Sequence, residues 1–207
     1  MAFTRNGYGQ VEPNQLSAQK TGQIYASLPL DSKVDILQNG EFMYYDYKSG
    51  TVTADGVGEP MLVFNEVKLY EPFWQTSYKD FAMIRVGDNY VTSRLATAGY
   101  GDGAKTKGVA SAHSDWQAGY RMDGIAPRLF KTNVGDIFTT NMVETGAEIT
   151  YNKGDILKLK KVPKAADKTG NTLVLSQTGN IDALEFVVAK VYTMPDGQPG
   201  LKLQRIK

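Results

Sequence analysis

The polar run around the single histidine is the first place where the chain could carry out chemistry. On a strand, Ser111, His113 and Asp115 would share one face, as a serine, histidine and aspartate triad requires. Residues two apart on a strand lie roughly 6.5 Å from each other, whereas a serine–histidine hydrogen bond needs heavy atoms within about 3 Å. The sequence also lacks an oxyanion-hole signature. We therefore interpret His113 as a polar loop residue.

A second candidate is the glycine-rich segment of residues 99–106, which reads GYGDGAKT. It comes within one residue of a phosphate-binding loop, with Ala104 where that motif has its second glycine. Such a loop needs a buried strand before it and a helix after it, so that backbone amides and the helix dipole meet the phosphates. The flanking residues 93–97 and 107–109 fit neither requirement. The segment therefore predicts a flexible glycine loop.

Metal ions and cofactors are not predicted either. The chain has no cysteine, which excludes disulfides, thiolate metal sites and a cysteine nucleophile. Acidic residues near glycines do not follow EF-hand spacing and are better explained by turns; they are Asp46, Asp55, Glu59, Asp102 and Asp123. Paired carboxylates of the glycosidase kind would meet only in the fold, and nothing favours them. We expect a protein that is not an enzyme and binds no cofactor.

Composition narrows the possible partners. The chain has 207 residues, enough for one sizeable domain, and its formal net charge is +1. Binding to phosphate polymers needs a clear cationic excess, so nucleic acid is not expected as a partner. No window approaches the roughly 20 apolar residues of a membrane span, and no signal peptide is evident. We expect synthesis in the cytoplasm and no membrane contact.

Apolar runs between turn signals predict a mainly β chain, with an antiparallel β-barrel or β-sandwich as the fold. Glycine is abundant, at 21 of 207 residues, which favours turns. The runs that predict strands cover residues 41–47, 51–54, 61–70, 81–86, 90–95, 156–162, 173–176, 185–192 and 201–206. Residues 96–124 lack periodicity and predict a long glycine-rich insertion that makes contacts. The β-rich domain is expected over residues 31–207, as one unit or as two subdomains.

An internal repeat supports this fold class. Gly135-Asp136 precedes one apolar run, and Gly154-Asp155 precedes another nineteen residues later. In such a pair glycine supplies a positive φ, and the aspartate side chain bonds the backbone of a tight turn that leads into a strand. Repeated units of this kind are typical of a small barrel or sandwich.

The first thirty residues predict an extended N-terminal arm. This segment is polar and has too little apolar content to fold alone, so it is expected to lie on something. Its best helix candidate runs from Asn14 to Ala26, with Asn14 as a possible N-cap and Gly22 as a weak point.

Lysines and aromatic residues form the two most useful surface candidates. Six lysines crowd sixteen residues around the strand at 156–162, and lysines often protect an exposed sheet edge; they are Lys153, Lys158, Lys160, Lys161, Lys164 and Lys168. Docking to an acidic neighbour is the alternative. Seven aromatic residues fall between 44 and 78, where core packing and an interface are equally open; they are Tyr44, Tyr45, Tyr47, Tyr70, Phe73, Trp74 and Tyr78.

The segments TRNGYGQVEPNQLSAQKTGQIYASLP, GEFMYYDY, LVFNEVKLYE and KDFAM give the chain a resemblance over residues 4–86. It resembles small virion structural proteins of tailed bacteriophages, most of all capsid decoration, or cement, proteins. The resemblance implies a virion location and a non-enzymatic, mainly β protein that clamps neighbouring capsid subunits. The implied partners are the major capsid protein and neighbouring copies of the chain, as a homo-oligomer or on a symmetric particle.

The arm would then add a strand to a neighbour or lie in its groove, with apolar side chains filling pockets. The residues expected to fill them are Phe3, Tyr8, Leu16, Ile24 and Tyr25. Two other functions stay open: a head–tail connector or tail component, and a host-glycan-binding module in which Trp74 or Trp116 stacks on sugar rings.

Overall fold

The protein, analysed as a computed structural model, is mainly β, which confirms the predicted fold class. The structure describes Phe3 and residues 9–31, 33–34, 36–64, 83–86, 89–92, 126–164, 170–194 and 197–207. Within these ranges one short helix occurs, α1 (Ser17–Thr21). The strands are β1 (Val11–Gln15), β2 (Ile24–Tyr25), β3 (Ile36–Leu37), β4 (Phe42–Asp46), β5 (Thr51–Thr53), β6 (Met61–Val63), β7 (Met83–Val86), β8 (Asn89–Thr92), β9 (Leu129–Phe130), β10 (Ile137–Thr140), β11 (Ile156–Pro163), β12 (Asn171–Ser176), β13 (Ile181–Thr193) and β14 (Pro199–Arg205).

One large antiparallel sheet curls into a half-barrel. Its described strands follow the order β1-β10-β14-β13-β11-β12-β4-β6-β9-β2, and β5 pairs with β4 beside this path. Strands β3, β7 and β8 form a separate three-stranded sheet. The two ends of the long path, β1 and β2, are neighbours in the sequence, and only residues 16–23 connect them. The N-terminal segment therefore reaches from one end of the curled sheet to the other.

Several predicted hairpins are confirmed. Strands β4 and β5 pair across the turn at residues 47–50, and β7 pairs with β8. Strand β13 pairs with β14 over most of its length, as the last two apolar runs predict. The predicted insertion over residues 96–124, with His113 and the glycine-rich segment at 99–106, lies outside the described residues.

The main core consists largely of apolar side chains from the curled sheet. Phe42, Phe138 and Phe186 are fully buried, and their ring centroids lie 5.6–6.3 Å apart. A second cluster forms around Met43, Tyr45 and neighbouring aliphatic side chains. Alternating side chains of β4 thus serve two cores, which explains why this strand reads as a continuous aromatic run.

The repeated Gly-Asp pair forms two turns of the same construction. Gly135 and Gly154 both have φ of +95°, and both N–H groups donate to a neighbouring strand at 2.8 Å. The carboxylate of Asp136 accepts from the N–H of Asn133, and that of Asp155 accepts from the N–H of Asn152. The sequence prediction for glycine and aspartate is confirmed at both positions. Because β13 and β14 pair with each other, the turns flank a four-stranded unit of order β10-β14-β13-β11.

The lysine-rich strand is not a sheet edge, so that prediction was wrong. Strand β11 pairs with β12 on one side and with β13 on the other. Its lysines form ion pairs within the chain: Lys158 with Asp182, Lys160 with Glu144, and Lys161 with Asp55. The lysines therefore balance acidic side chains on adjoining segments of the same fold.

Candidate functional site

The N-terminal segment and the surface that holds it form the most distinctive polar arrangement in the described part of the chain. We call residues 9–25 the strap. The surface beneath, called the groove, consists of β9, the turn at residues 131–136, β10 and Asn141. Strand β1 pairs antiparallel with β10, and β2 pairs with β9. Two strands within the first thirty residues therefore pair with strands of the predicted β-rich domain.

The start of the strap is held by hydrogen bonds to polar side chains of the domain. The N–H of Gly9 donates to Oε1 of Gln38, and the N–H of Gln10 donates to Oδ1 of Asn141, both at 2.7 Å. The Oγ1 of Thr140 donates to the carbonyl of Gln10 at 2.7 Å. Asn141 and Thr140 have no exposed surface. Backbone groups of the strap thus satisfy side chains that the fold places in its interior.

The helix of the strap is shorter than predicted, and a residue far along the sequence caps it. Asn14 is not the N-cap, because its Oδ1 accepts a hydrogen bond from Oγ1 of Thr139 at 2.7 Å. Helix α1 starts at Ser17, whose N–H and Oγ donate to the carboxylate of Asp136 at 3.1 and 2.9 Å. The helix ends at Gly22 in the left-handed conformation. The turn built around Asp136 thus both starts β10 and holds the helix.

Apolar side chains anchor the strap from below. Leu16 is 2% exposed and Ala18 is fully buried, and both join the main core. Phe3, which precedes the strap, is also buried, and its ring packs edge-on against Tyr151 at 5.4 Å. Phe3 and Leu16 therefore belong to the chain's own main core in this conformation.

The other predicted partner-binding residues fall into two groups. Ile24 and Tyr25 are half-buried in β2, Ile24 against the main core and Tyr25 against the second cluster. Tyr8, Trp74 and Trp116 lie outside the described residues. Leu16, Ile24 and Tyr25 thus belong to one segment, which connects the two ends of the large sheet.

Three tyrosine rings form a row of tilted and edge-on contacts that ends at an exposed hairpin tip. The ring centroid of Tyr45 lies 5.2 Å from that of Tyr25 and 5.2 Å from that of Tyr47. Tyr45 is buried and its hydroxyl accepts from the N–H of Ser27, whereas Tyr47 is 74% exposed. The carboxylate of Asp46 accepts from two backbone N–H groups and so fixes the tip. The aromatic run therefore serves the core at Tyr45 and presents an aromatic surface at Tyr47.

A cluster around Glu144 has residue types found in hydrolases, but its groups are engaged with one another. Oε1 of Glu144 accepts from Nζ of Lys160, and Oε2 accepts a very short hydrogen bond from Oγ of Ser176. Ser176 is fully buried, and its Oγ also accepts from the N–H of Thr178 at 2.9 Å. A nucleophile must reach a substrate, whereas this hydroxyl is enclosed. The cluster ties three segments of the sheet together.

Electrostatics in this cluster follow from its contacts. Burial opposes ionisation of Glu144, but hydrogen bonds from Lys160 and Ser176 outweigh it and lower the pKa of the carboxyl. Burial, followed by the negative charges of Glu144 and Asp155, raises the pKa of Tyr151 above its ordinary value. The Tyr151 hydroxyl therefore stays protonated and donates to the carbonyl of Glu144 at 2.7 Å.

The most buried ionic contact was missed by sequence reasoning. Nζ of Lys164 lies 2.7 and 2.6 Å from the two carboxylate oxygens of Glu41. The side chains are 3% and 2% exposed. The sequence places Lys164 among other lysines that are more exposed, and nothing in that spacing marks it as buried.

Within the described ranges, no group of three or more histidine, cysteine or acidic side chains could hold a metal ion. No helix there is long and apolar enough to cross a bilayer. Comparison with known proteins found no matching family, no matching curated protein and no matching solved structure. The fold and its contacts, together with the sequence, are therefore the basis for the functional proposal.

Proposed function

We propose that the chain is a non-enzymatic structural component of a tailed-bacteriophage particle, which binds the capsid surface and stabilises neighbouring capsid subunits. Its place is the virion, and its partners are the major capsid protein and copies of itself. The resemblance of residues 4–86 to virion structural proteins supports this assignment, and the contacts of the same residues bear on how such a protein would bind.

The exposed tip of the β4–β5 hairpin is the observation that carries the proposal furthest. Tyr47 is 74% exposed, although its ring packs edge-on against the ring of Tyr45, which is buried. Tyrosine is enriched at protein interfaces, because it joins an apolar ring to a polar hydroxyl and has few rotamers to lose. The hydrogen bonds to Asp46 fix the backbone of the tip, and the ring of Tyr45 contacts that of Tyr47, so less freedom is lost when an interface forms.

Repetition on a symmetric shell would make a small contact of this kind sufficient. A single hairpin tip buries little area, and small interfaces are weak. When many copies attach to one shell and also touch each other, the effective affinity rises without any single strong contact. The paired charges and enclosed hydroxyl of the Glu144 cluster fit a protein whose polar side chains maintain structure.

Cosedimentation with capsid shells that lack this protein tests the proposal. The intact protein should bind saturably, at a fixed ratio to the capsid subunit. Tyr47→Ala should weaken binding and leave the melting temperature nearly unchanged, because Tyr47 is exposed. Lys48→Ala, on the same tip, is the matched control and should bind like the wild type. Absence of binding by the folded wild-type protein would refute the capsid assignment and favour the connector, tail or glycan alternatives.

A further inference from the structure

We propose that the groove is an interface between copies of this chain, and that its second occupant is the strap of a neighbouring copy. In the arrangement described above, each strap lies in the groove of its own chain. In the exchanged arrangement, two copies trade straps and make the same contacts across the boundary between them. The inference rests on the proposed function for its place in a particle, but its test uses the purified protein alone.

The first argument is the polar character of the contact. Along its length the strap is held by hydrogen bonds that join its atoms to side chains more than 100 positions away in the sequence. Thr139, Thr140 and Asn141 are fully buried beneath it, and Asp136 is 6% exposed. A buried surface with several directional hydrogen bonds and a few apolar anchors resembles a protein interface more than a domain core. These bonds also fix the register of the strap.

The second argument is that a neighbouring copy needs no new complementarity. The groove recognises Gln10, Asn14, Leu16, Ser17 and Ala18 through geometry that every copy carries. A second copy's strap offers the same atoms in the same order, and exchange of identical elements is a low-cost route to association.

The third argument is the short connection that follows the strap. Residues 26–28, called the hinge, separate β2 from Pro29, whose carbonyl accepts from the N–H of Val52 on the domain. Ala26 and Ser27 are exposed. Leu28 precedes a proline, which favours an extended backbone at that residue. A short extended hinge favours exchange, since the chain does not easily fold back on itself.

The hinge also limits where the neighbour can be. Three extended residues span about 10 Å at most. The groove of the second copy must therefore lie directly beside the first domain. This restriction fits copies that touch one another on a surface and excludes exchange between widely separated ones.

Engineered disulfides between different chains test the exchange, and the chain is suited to them because it has no native cysteine. Val11 and Thr140 are register partners on β1 and β10. Such partners have Cα atoms about 4.5–5.5 Å apart, within the range that a disulfide accepts. The experiment mixes full-length Val11→Cys with full-length Thr140→Cys, refolds them together at high concentration and oxidises them. Peptide mass spectrometry then identifies the linkage.

The control replaces the groove variant by Lys202→Cys. Lys202 lies on β14 and pairs with Thr139 of β10, so it is one strand further from β1 than Thr139 is. The side chain of Lys202 is also more accessible than that of Thr140. Chance collision would therefore favour linkage to residue 202 over linkage to residue 140. Glu12→Cys with Thr139→Cys is a second register pair, in case the Thr140 variant does not fold.

We expect a disulfide-linked dimer joining position 11 of one chain to position 140 of the other, several-fold above the Lys202 control. The exchange proposal would be overturned if neither register pair gave more linked dimer than the Lys202 control and light scattering showed only monomer. Capsid binding without linkage would refute the exchange alone, whereas linkage without capsid binding would refute the proposed function alone.

Discussion

Replacing Lys164 by methionine should destabilise the fold strongly, because it leaves a carboxylate buried without its partner. The Nζ of Lys164 contacts both oxygens of Glu41, and both side chains are almost fully buried. A charge removed from water is tolerated only when hydrogen bonds and an opposite charge replace its hydration. Methionine keeps most of the apolar volume of lysine, so the change isolates the charge.

The size of the effect follows from this burial. Breaking a buried ion pair on one side typically costs about 3–5 kcal/mol, because the remaining charge is uncompensated. Replacing both partners by apolar residues of similar volume is often neutral, or stabilising by about 1–4 kcal/mol. Lys164→Met should therefore cost about 3–5 kcal/mol of unfolding free energy. The double variant with Glu41→Leu should recover most or all of that loss.

Chemical unfolding of the wild type, both single variants and the double variant measures the coupling between the two residues. Lys161→Met, on the strand that ends just before Lys164, is the matched control, because the side chains of its ion pair with Asp55 are 44% and 57% exposed. Exposed pairs contribute about 0–1 kcal/mol, so this control should change stability little. A loss below about 1 kcal/mol in Lys164→Met, or a double variant no better than the single, would refute the reasoning.

Three further predictions follow from the strap, the repeated turns and the Glu144 cluster. Leu16→Ala should cost about 2–5 kcal/mol in chemical unfolding, whereas Lys20→Ala, exposed on the same helix, should cost little; equal losses would mean that the strap is not anchored in the core. Gly135→Ala and Gly154→Ala should each cost about 1–2 kcal/mol, because alanine disfavours a φ of +95° and neither site is crowded; unequal melting temperatures would show that the two turns differ. Because folding lowers the pKa of Glu144, the ionised carboxyl should contribute fully to the free energy of unfolding above pH 4.5, the ordinary pKa of a glutamate. This contribution should decline as the pH falls below 4.5. Thermal melts from pH 7 to 3 should therefore show the gap between wild type and Glu144→Gln narrowing toward low pH, and a constant gap would contradict this.

Local features of the fold were predictable from the sequence, because they depend on residues close together in the chain. The hairpin of β4 and β5 is marked by turn residues on both sides of an aromatic run. The turns at Gly135 and Gly154 are marked by a Gly-Asp pair. This pair suits a tight turn, because glycine adopts a positive φ easily and the aspartate side chain can bond the backbone of the turn. In each case an aspartate side chain accepts a hydrogen bond from a backbone N–H two or three residues away.

The failures concern contacts between distant parts of the chain. Strand β11 was predicted to be an edge from its lysines, but strand order depends on pairing with β12 and β13, which composition does not specify. Asn14 was predicted to cap a helix, but Thr139, 125 positions away, takes up its side chain. The polar N-terminal segment was expected to lie on something, but its pairing partners β10 and β9 lie in the other half of the sequence, where composition does not identify them.

This separation also bears on when the strap docks. The groove contacts of the strap join residues more than 100 positions apart in sequence, and contacts of such long range form only after the entropy cost of closing the intervening loop is met. The strap therefore stays undocked until β9 and β10 have joined the sheet. During that interval the groove of a neighbouring copy competes with the chain's own groove on equal terms, apart from local concentration. In the assembly that we propose, crowding of copies on a shell would raise the concentration of the competing groove, and the late docking of the strap would then favour its exchange.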